Sequence, residues 1–138
     1  MRYVDASAVL RLLFREPGLA VPLSAAERLV SSRLVEVETA RAVDRARLVG
    51  QLDDRTVARK RAELAEFLKR IDQVAIDDLV IARARDPFAV NVRALDAIHV
   101  ATAELLRAEA EGESLEFWTH DDRQATVALS RGLTVRGT

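Results

Sequence analysis

Cysteine is absent from the 138-residue chain. Disulfides and thiolate metal sites are therefore excluded, and a reducing cytoplasm is the expected setting. No apolar run approaches the ~20 residues of a membrane-spanning helix, so no membrane partner is expected. The opening Met-Arg-Tyr-Val-Asp lacks an apolar stretch and does not read as a signal peptide. Aromatic residues make up 4 % of the chain, too few for a base-stacking platform. No GxGxxG or GxxxxGK[ST] loop is present to cradle a nucleotide, and there is no GxSxG or cysteine nucleophile. Lysine is scarce: Lys60 and Lys69 are the only two, and the remaining basic residues are arginines.

What is present reads as a soluble, globular chain, 49 % hydrophobic and 31 % charged. Residues 1–138 fit one domain by length, with no internal repeat, low-complexity tract or linker. A net charge of −1 does not suggest a general nucleic-acid binder. The charge is uneven, however. Residues 41–70 carry nine basic against five acidic side chains. That stretch reads either as a solvated helix face or as a shallow surface for an RNA backbone. Arg41 and Arg45, at its start, are the candidate substrate contacts.

The hydrophobic pattern alternates strands and helices. Strands are expected at 1–6, 28–32, 72–76, 114–119 and 133–136. Helices are expected at 8–15, 21–26, 33–49, about 54–70, 78–86, 94–110 and 122–131. Ser7 is the expected N-cap of the first helix, and Asp53 or Asp54 that of the fourth. Gly50 and Gly132 close two helices, and Pro87 stops another. In the helix at 94–110, Leu95, Ile98, Ala101 and Leu105 form the expected buried stripe. This alternation argues for an α/β fold, a parallel sheet covered by helices. In such sheets ligands sit outside the carboxyl ends of the strands.

Four carboxylates occupy positions that need explaining. Asp5 ends an apolar strand, where an acid is a poor strand former and costly to bury. Asp121 follows the apolar strand "LEFWT". Each also reads as a helix N-cap or turn residue, and Asp122 is an equal candidate for the second cap. Glu38 interrupts an apolar stripe, having Leu34, Val35 and Ala42 as helical neighbours; Arg41 is its candidate ion-pair partner. Asp96 lies in the first turn of the helix at 94–110, where the dipole favours an acid and Arg93 is close. His99 reads as a packed or hydrogen-bonded helix residue. Ser7 and Thr119 double as caps and as hydroxyls able to support Asp5. Acids gathered from four elements repel and raise one another's pKa, and a cation removes that cost. All-oxygen ligation suits Mg²⁺ or Mn²⁺, and the chemistry implied is metal-assisted phosphodiester hydrolysis.

"YVDASAVL", "SSRLVEVETARA", "RALDAIHVATAELL" and "FWTHDDRQATVALSRGL" together resemble the PIN-domain proteins, and more narrowly the VapC toxins of type II toxin–antitoxin pairs. The resemblance covers nearly the whole chain. It implies a three-layer α/β/α domain around a central parallel sheet of about five strands, and a Mg²⁺- or Mn²⁺-dependent endoribonuclease. It carries the catalytic and metal-binding acids over to Asp5, Glu38, Asp96 and Asp121. Ser7 and Thr119 match its supporting hydroxyls, while Asp122 is left open as a cap or a further ligand. It also implies an RNA substrate, a homodimer and a cognate VapB-type antitoxin that inserts a peptide over the active site. Two other readings stand beside the toxin: a housekeeping PIN nuclease of RNA processing, and a non-enzymatic binding module whose acids only cap helices and pair with arginines.

Overall fold

The computed structural model describes residues 1–24, 27–110 and 112–138. Five short strands, β1 (Arg2–Val4), β2 (Leu29–Ser32), β3 (Asp72–Val74), β4 (Glu116–Trp118) and β5 (Thr134–Arg136), form one sheet. Its order is β3-β2-β1-β4-β5, and every neighbouring pair is parallel. Six helices join them: α1 (Ala6–Phe14), α2 (Leu34–Leu48), α3 (Asp54–Leu68), α4 (Asp78–Ala84), α5 (Ala94–Glu109) and α6 (Asp122–Ser130).

Strand alternation divides the core in two. Tyr3 pairs in register with Val30 and Phe117, and all three are fully buried on the face covered by α5 and α6. The next residues along, Val4 and Trp118, point the other way with Leu29, into a core completed by α1, α2 and α3. Successive residues of a strand face opposite sides, so one short apolar strand feeds both layers. The edge strands are polar: Asp72 on β3 is exposed, as are Thr134 and Arg136 on β5, which discourages pairing with another chain.

The strand order reverses at β1. The chain leaves β1 toward β2 and β3, then returns to place β4 on the other side of β1. Such a switch point opens a crevice at the carboxyl ends of the two strands. Asp5 follows β1 there, and Thr119 to Asp121 follow β4.

Several expectations need correction. The strands are three or four residues long rather than four to six. Residues 21–24 are irregular, not helical, and the remaining two of the expected segment 21–26 lie outside the described residues. Asp5, not Ser7, is the N-cap of α1: its carboxylate accepts from the Ala8 N–H at 2.9 Å. The strand ends at Val4, which frees Asp5 for that role. Asp53 caps α3, and Asp121 rather than Asp122 caps α6. In α5 the residues turned inward are Ala97, Val100, Ala101 and Glu104, while Leu95 is 47 % exposed. Small side chains let α5 approach the sheet closely, so alanine and not leucine marks its inner face.

Glu104 is the one buried acid on that face, and two arginines answer it. Arg83 of α4 donates to it at 2.8 Å and Arg131, just past α6, at 3.1 Å. Arg131 also lies over the Phe88 ring, 4.7 Å from its centroid. One carboxylate thus ties α4, α5, α6 and the segment after α4. Removing one partner of such a pair leaves uncompensated charge, so Glu104→Ala is expected to lower stability by about 3 kcal/mol. Urea unfolding of the variant checks this. A loss below about 1 kcal/mol would make the pair a solvated surface contact.

Candidate metal and catalytic site

Asp5 is 4 % exposed and has no ion-pair partner among the described residues. Three donors hold it instead. Oδ1 accepts from the Ala8 N–H and from the Ser7 hydroxyl at 2.7 Å, and Oδ2 accepts from the Thr119 hydroxyl at 2.6 Å. Thr119 is fully buried and its oxygen also accepts from the Asp121 N–H at 3.1 Å. Ser7 in turn accepts from the His120 N–H at 2.7 Å. The loop after β4 is therefore stitched to the end of β1 through two hydroxyls. The chain behind it passes close by. A Cβ on Gly137 (φ +99°) would meet the Thr119 carbonyl at 2.6 Å, so only glycine fits there.

Asp121 sits at the N-terminus of α6. Its Oδ1 accepts from the N–H groups of Arg123 and Gln124, at 2.8 and 3.3 Å. Asp96, in the first turn of α5, is half-buried and close enough to Asp121 to feel its charge. Glu38, inside α2, lies across from α5: its Oε2 is 2.7 Å from His99 Nε2. His99 is 2 % exposed, and its Nδ1 is 2.8 Å from the Tyr3 hydroxyl.

The electrostatics separate these acids. Burial pushes the Asp5 carboxyl above its ordinary value, outweighing the His99 ring and its three hydrogen bonds. Burial, then the neighbouring Asp121, also raise Asp96. Asp121 is different. Burial alone would raise it, but the N–H groups of Arg123 and Gln124 and the Arg123 guanidinium bring it below the usual range. One acid is thus held ionised beside two that resist ionisation, a division seen where carboxylates share a task.

Asp96 lies near Asp121, Asp5 is joined to the Asp121 backbone through Thr119, and Glu38 meets His99 on the same helix as Asp96. Among the described residues no group of three His, Asp or Glu side chains stands close enough together to hold a metal ion as they are placed. The chemistry of the donor set nevertheless fits Mg²⁺ or Mn²⁺: it offers carboxylate oxygens only, and Arg123, 3.6 Å from Asp121, is the cation beside them. Mg²⁺ keeps several waters and takes only one or two carboxylates directly. Asp5, Asp96 and Asp121 are the residues that would hold such an ion.

Other candidates lie elsewhere. Arg41 pairs with Asp44 at 3.2 Å rather than with Glu38, and its side chain is largely exposed. Arg45 lines a groove of about 700 Å³ between α1 and α2, with Leu10, Phe14, Ala42 and Leu52. Asp122 is exposed in the first turn of α6. The sequence reading missed the join from Tyr3 through His99 to Glu38. His99 stands three residues after Asp96, a spacing that places both toward one side of a helix, which is the only signal the sequence offers.

Comparison with known proteins identifies the family and the fold. The PIN domain family model matches residues 2–129. The chain is 33 % identical to Ribonuclease VapC46 of Mycobacterium tuberculosis over 136 residues, 96 % of this chain and 94 % of that protein. The fold is similar to that of VapBC2 from Rickettsia felis, solved bound to a DNA fragment from their promoter. There the TM-score is 0.67 at 10 % identity, covering 99 % of this chain and 98 % of that one. A toxin–antitoxin complex from Klebsiella pneumoniae gives a TM-score of 0.54 at 15 % identity, over 99 % and 96 % of the two chains.

The Asp5 shift has a consequence for stability. Its folded-state pKa lies above the unfolded one, so the folded chain binds the proton more tightly. Stability is then highest below the ordinary carboxyl range and declines as pH rises through the raised value. Asp5→Asn removes that decline and keeps a good N-cap. Without divalent metal, the variant should melt about 3 °C or more above wild type at pH 7. The difference should shrink toward pH 4. A lower melting temperature at pH 7 would mean that the three donors outweigh burial.

Proposed function

This chain belongs to the PIN-domain family, within which it groups with the VapC proteins. We propose that it is a Mg²⁺- or Mn²⁺-dependent endoribonuclease, the toxin of a toxin–antitoxin pair. The observation that carries this reading is the meeting of Asp96 with Asp121, and of Asp5 with the Asp121 loop through Thr119, at the carboxyl ends of β1 and β4. The VapC relative is named a ribonuclease, and the two structural neighbours are toxin–antitoxin complexes, which supports the same reading. By that likeness the partner is a cognate antitoxin; a cytoplasmic homodimer of single domains spanning residues 1–138 belongs to the same proposal. No helix among the described residues is long and apolar enough to cross a membrane.

Each acid has its own part. Asp121, kept ionised by the N-terminus of α6, supplies a fixed negative charge. Asp5, locked by Ser7, Ala8 and Thr119, supplies a second position that does not move. A bound ion would contribute Lewis acidity toward a phosphate oxygen and make water easier to deprotonate. Asp96, half-buried with its proton affinity raised, is the carboxylate placed to accept the proton of the attacking water. Such hydrolysis needs no 2′-hydroxyl, so selection of RNA rests on shape and on contacts beyond the acids. Arg41 and Arg45 are retained as candidate backbone contacts on α2.

Purified, antitoxin-free protein is expected to cut total RNA into discrete fragments with Mn²⁺ or Mg²⁺ and to stop with EDTA. Asp96→Asn should slow cleavage by about 100-fold or more. Cleavage that survives EDTA, or that is unchanged in Asp96→Asn, would exclude this mechanism. Absence of both cleavage and calorimetric metal binding would favour a binding module.

A further inference from the structure

Tyr3 sits at the centre of the sheet and is fully buried. Its ring stacks on Phe117 at 5.0 Å and meets the His99 ring edge-on at 5.9 Å. Its hydroxyl oxygen accepts from the Ser32 N–H at 3.0 Å and lies 2.8 Å from His99 Nδ1. The far side of that imidazole, Nε2, is 2.7 Å from Glu38 Oε2. A continuous line of hydrogen bonds thus runs from β2 through β1 and α5 to an acid on α2.

The direction of these bonds follows from chemistry. An ionised carboxylate only accepts, so His99 Nε2 must carry a proton toward Glu38. The Tyr3 hydroxyl has one proton to give and lone pairs to accept with. Its oxygen already accepts from Ser32, and its proton is free to go to Nδ1. Thr102 is the other neighbour of that hydroxyl, but it spends its own proton on the Ile98 carbonyl at 2.7 Å. A neutral imidazole with its proton on Nδ1 would turn a lone pair against the Glu38 carboxylate.

We propose that Tyr3 and His99 are positioning residues for the acidic cluster: the Tyr3 hydroxyl donates to Nδ1, selects the Nε2–H tautomer of His99, and through it aims Glu38 at the crevice. Oε2 of Glu38 is held by the imidazole, and Oε1 has no hydrogen-bond partner among the described residues, so it is free to face a hydrated cation. The inference rests on the reading of the crevice as a cation site. A purely structural role would predict lost stability alone. A positioning role predicts a changed tautomer and weaker metal binding in a protein that still folds. Partners of this kind commonly change metal affinity by about 10- to 100-fold.

The test uses the full chain, labelled with ¹⁵N and free of metal. Long-range ¹H–¹⁵N correlation should show His99 as a single Nε2–H tautomer, assigned by its disappearance in His99→Gln. In Tyr3→Phe, which keeps the ring stack, that signature should become mixed. Mn²⁺ affinity measured by calorimetry should fall about tenfold in Tyr3→Phe and further in His99→Leu. His99→Gln, whose amide N–H can replace Nε2–H, should recover most of the loss. Thermal melts establish that each variant is folded. An Nδ1–H signature in wild type, or unchanged Mn²⁺ affinity in both Tyr3→Phe and His99→Leu, would overturn the proposal. Should Tyr3→Phe fail to fold, the contrast between His99→Gln and His99→Leu decides. RNA cleavage is measured in parallel: tautomer and metal effects without any cleavage by wild type would sink the ribonuclease reading and leave the positioning role standing.

Discussion

A carboxylate as deeply buried as Asp5 has to be held by donors, by a cation, or by its own proton. Here the protein supplies three donors and no cation, and the proton affinity rises. Much of the surrounding structure answers that one constraint. β1 stops at Val4 so that Asp5 can cap α1. Ser7 and Thr119 both donate to Asp5, and Ser7 accepts from the His120 N–H, which joins the ends of β1 and β4. Gly137 leaves room for the chain behind them. A crevice that costs this much to assemble is understandable if something positive completes it, since strain and unpaired charge concentrate where function needs them.

The two faces of the sheet divide the work. On the face of α1, α2 and α3 the packing is almost wholly apolar, with Val4, Leu29 and Trp118 against Val35, Val43 and Leu64. Even the buried Lys60 is occupied structurally, donating to the Leu13 carbonyl at 2.6 Å near the end of α1. On the face of α5 and α6 the core contains the polar line of Tyr3 and His99, and at its far edge the Glu104 cluster. The rigid, apolar layer fixes α1 and its cap. The polar layer carries the acids of α5 and α6 and reaches Glu38 across the sheet.

The alternation of apolar strands with helical periods made the parallel sheet and its order of elements legible, because each transition is marked by a local signal such as Gly50 or Pro87. The positions of Asp5 and Asp121 after β1 and β4, and of Asp96 in the first turn of α5, were legible for a related reason: each sits at a marked transition between elements. Other features depend on contacts that no local signal encodes. Which of Asp121 and Asp122 caps α6 is decided by one residue of strand length. The inner face of α5 was misread because alanine, not leucine, permits close approach to the sheet. Glu38 had Arg41 within reach along its own helix, yet it bonds His99, sixty-one residues away in sequence, and Arg41 turns to Asp44. Only the folded chain, which brings Glu38 of α2 within 2.7 Å of His99 of α5, makes that choice.

The most direct test of the account is where a cation binds. Crystals of the protein soaked in Mn²⁺ and measured for anomalous scattering would locate it without reference to activity. The account predicts a peak in the crevice bounded by Asp5, Asp96 and Asp121, with waters completing the shell. A peak confined to other acids, or none at concentrations that support RNA cleavage, would contradict it.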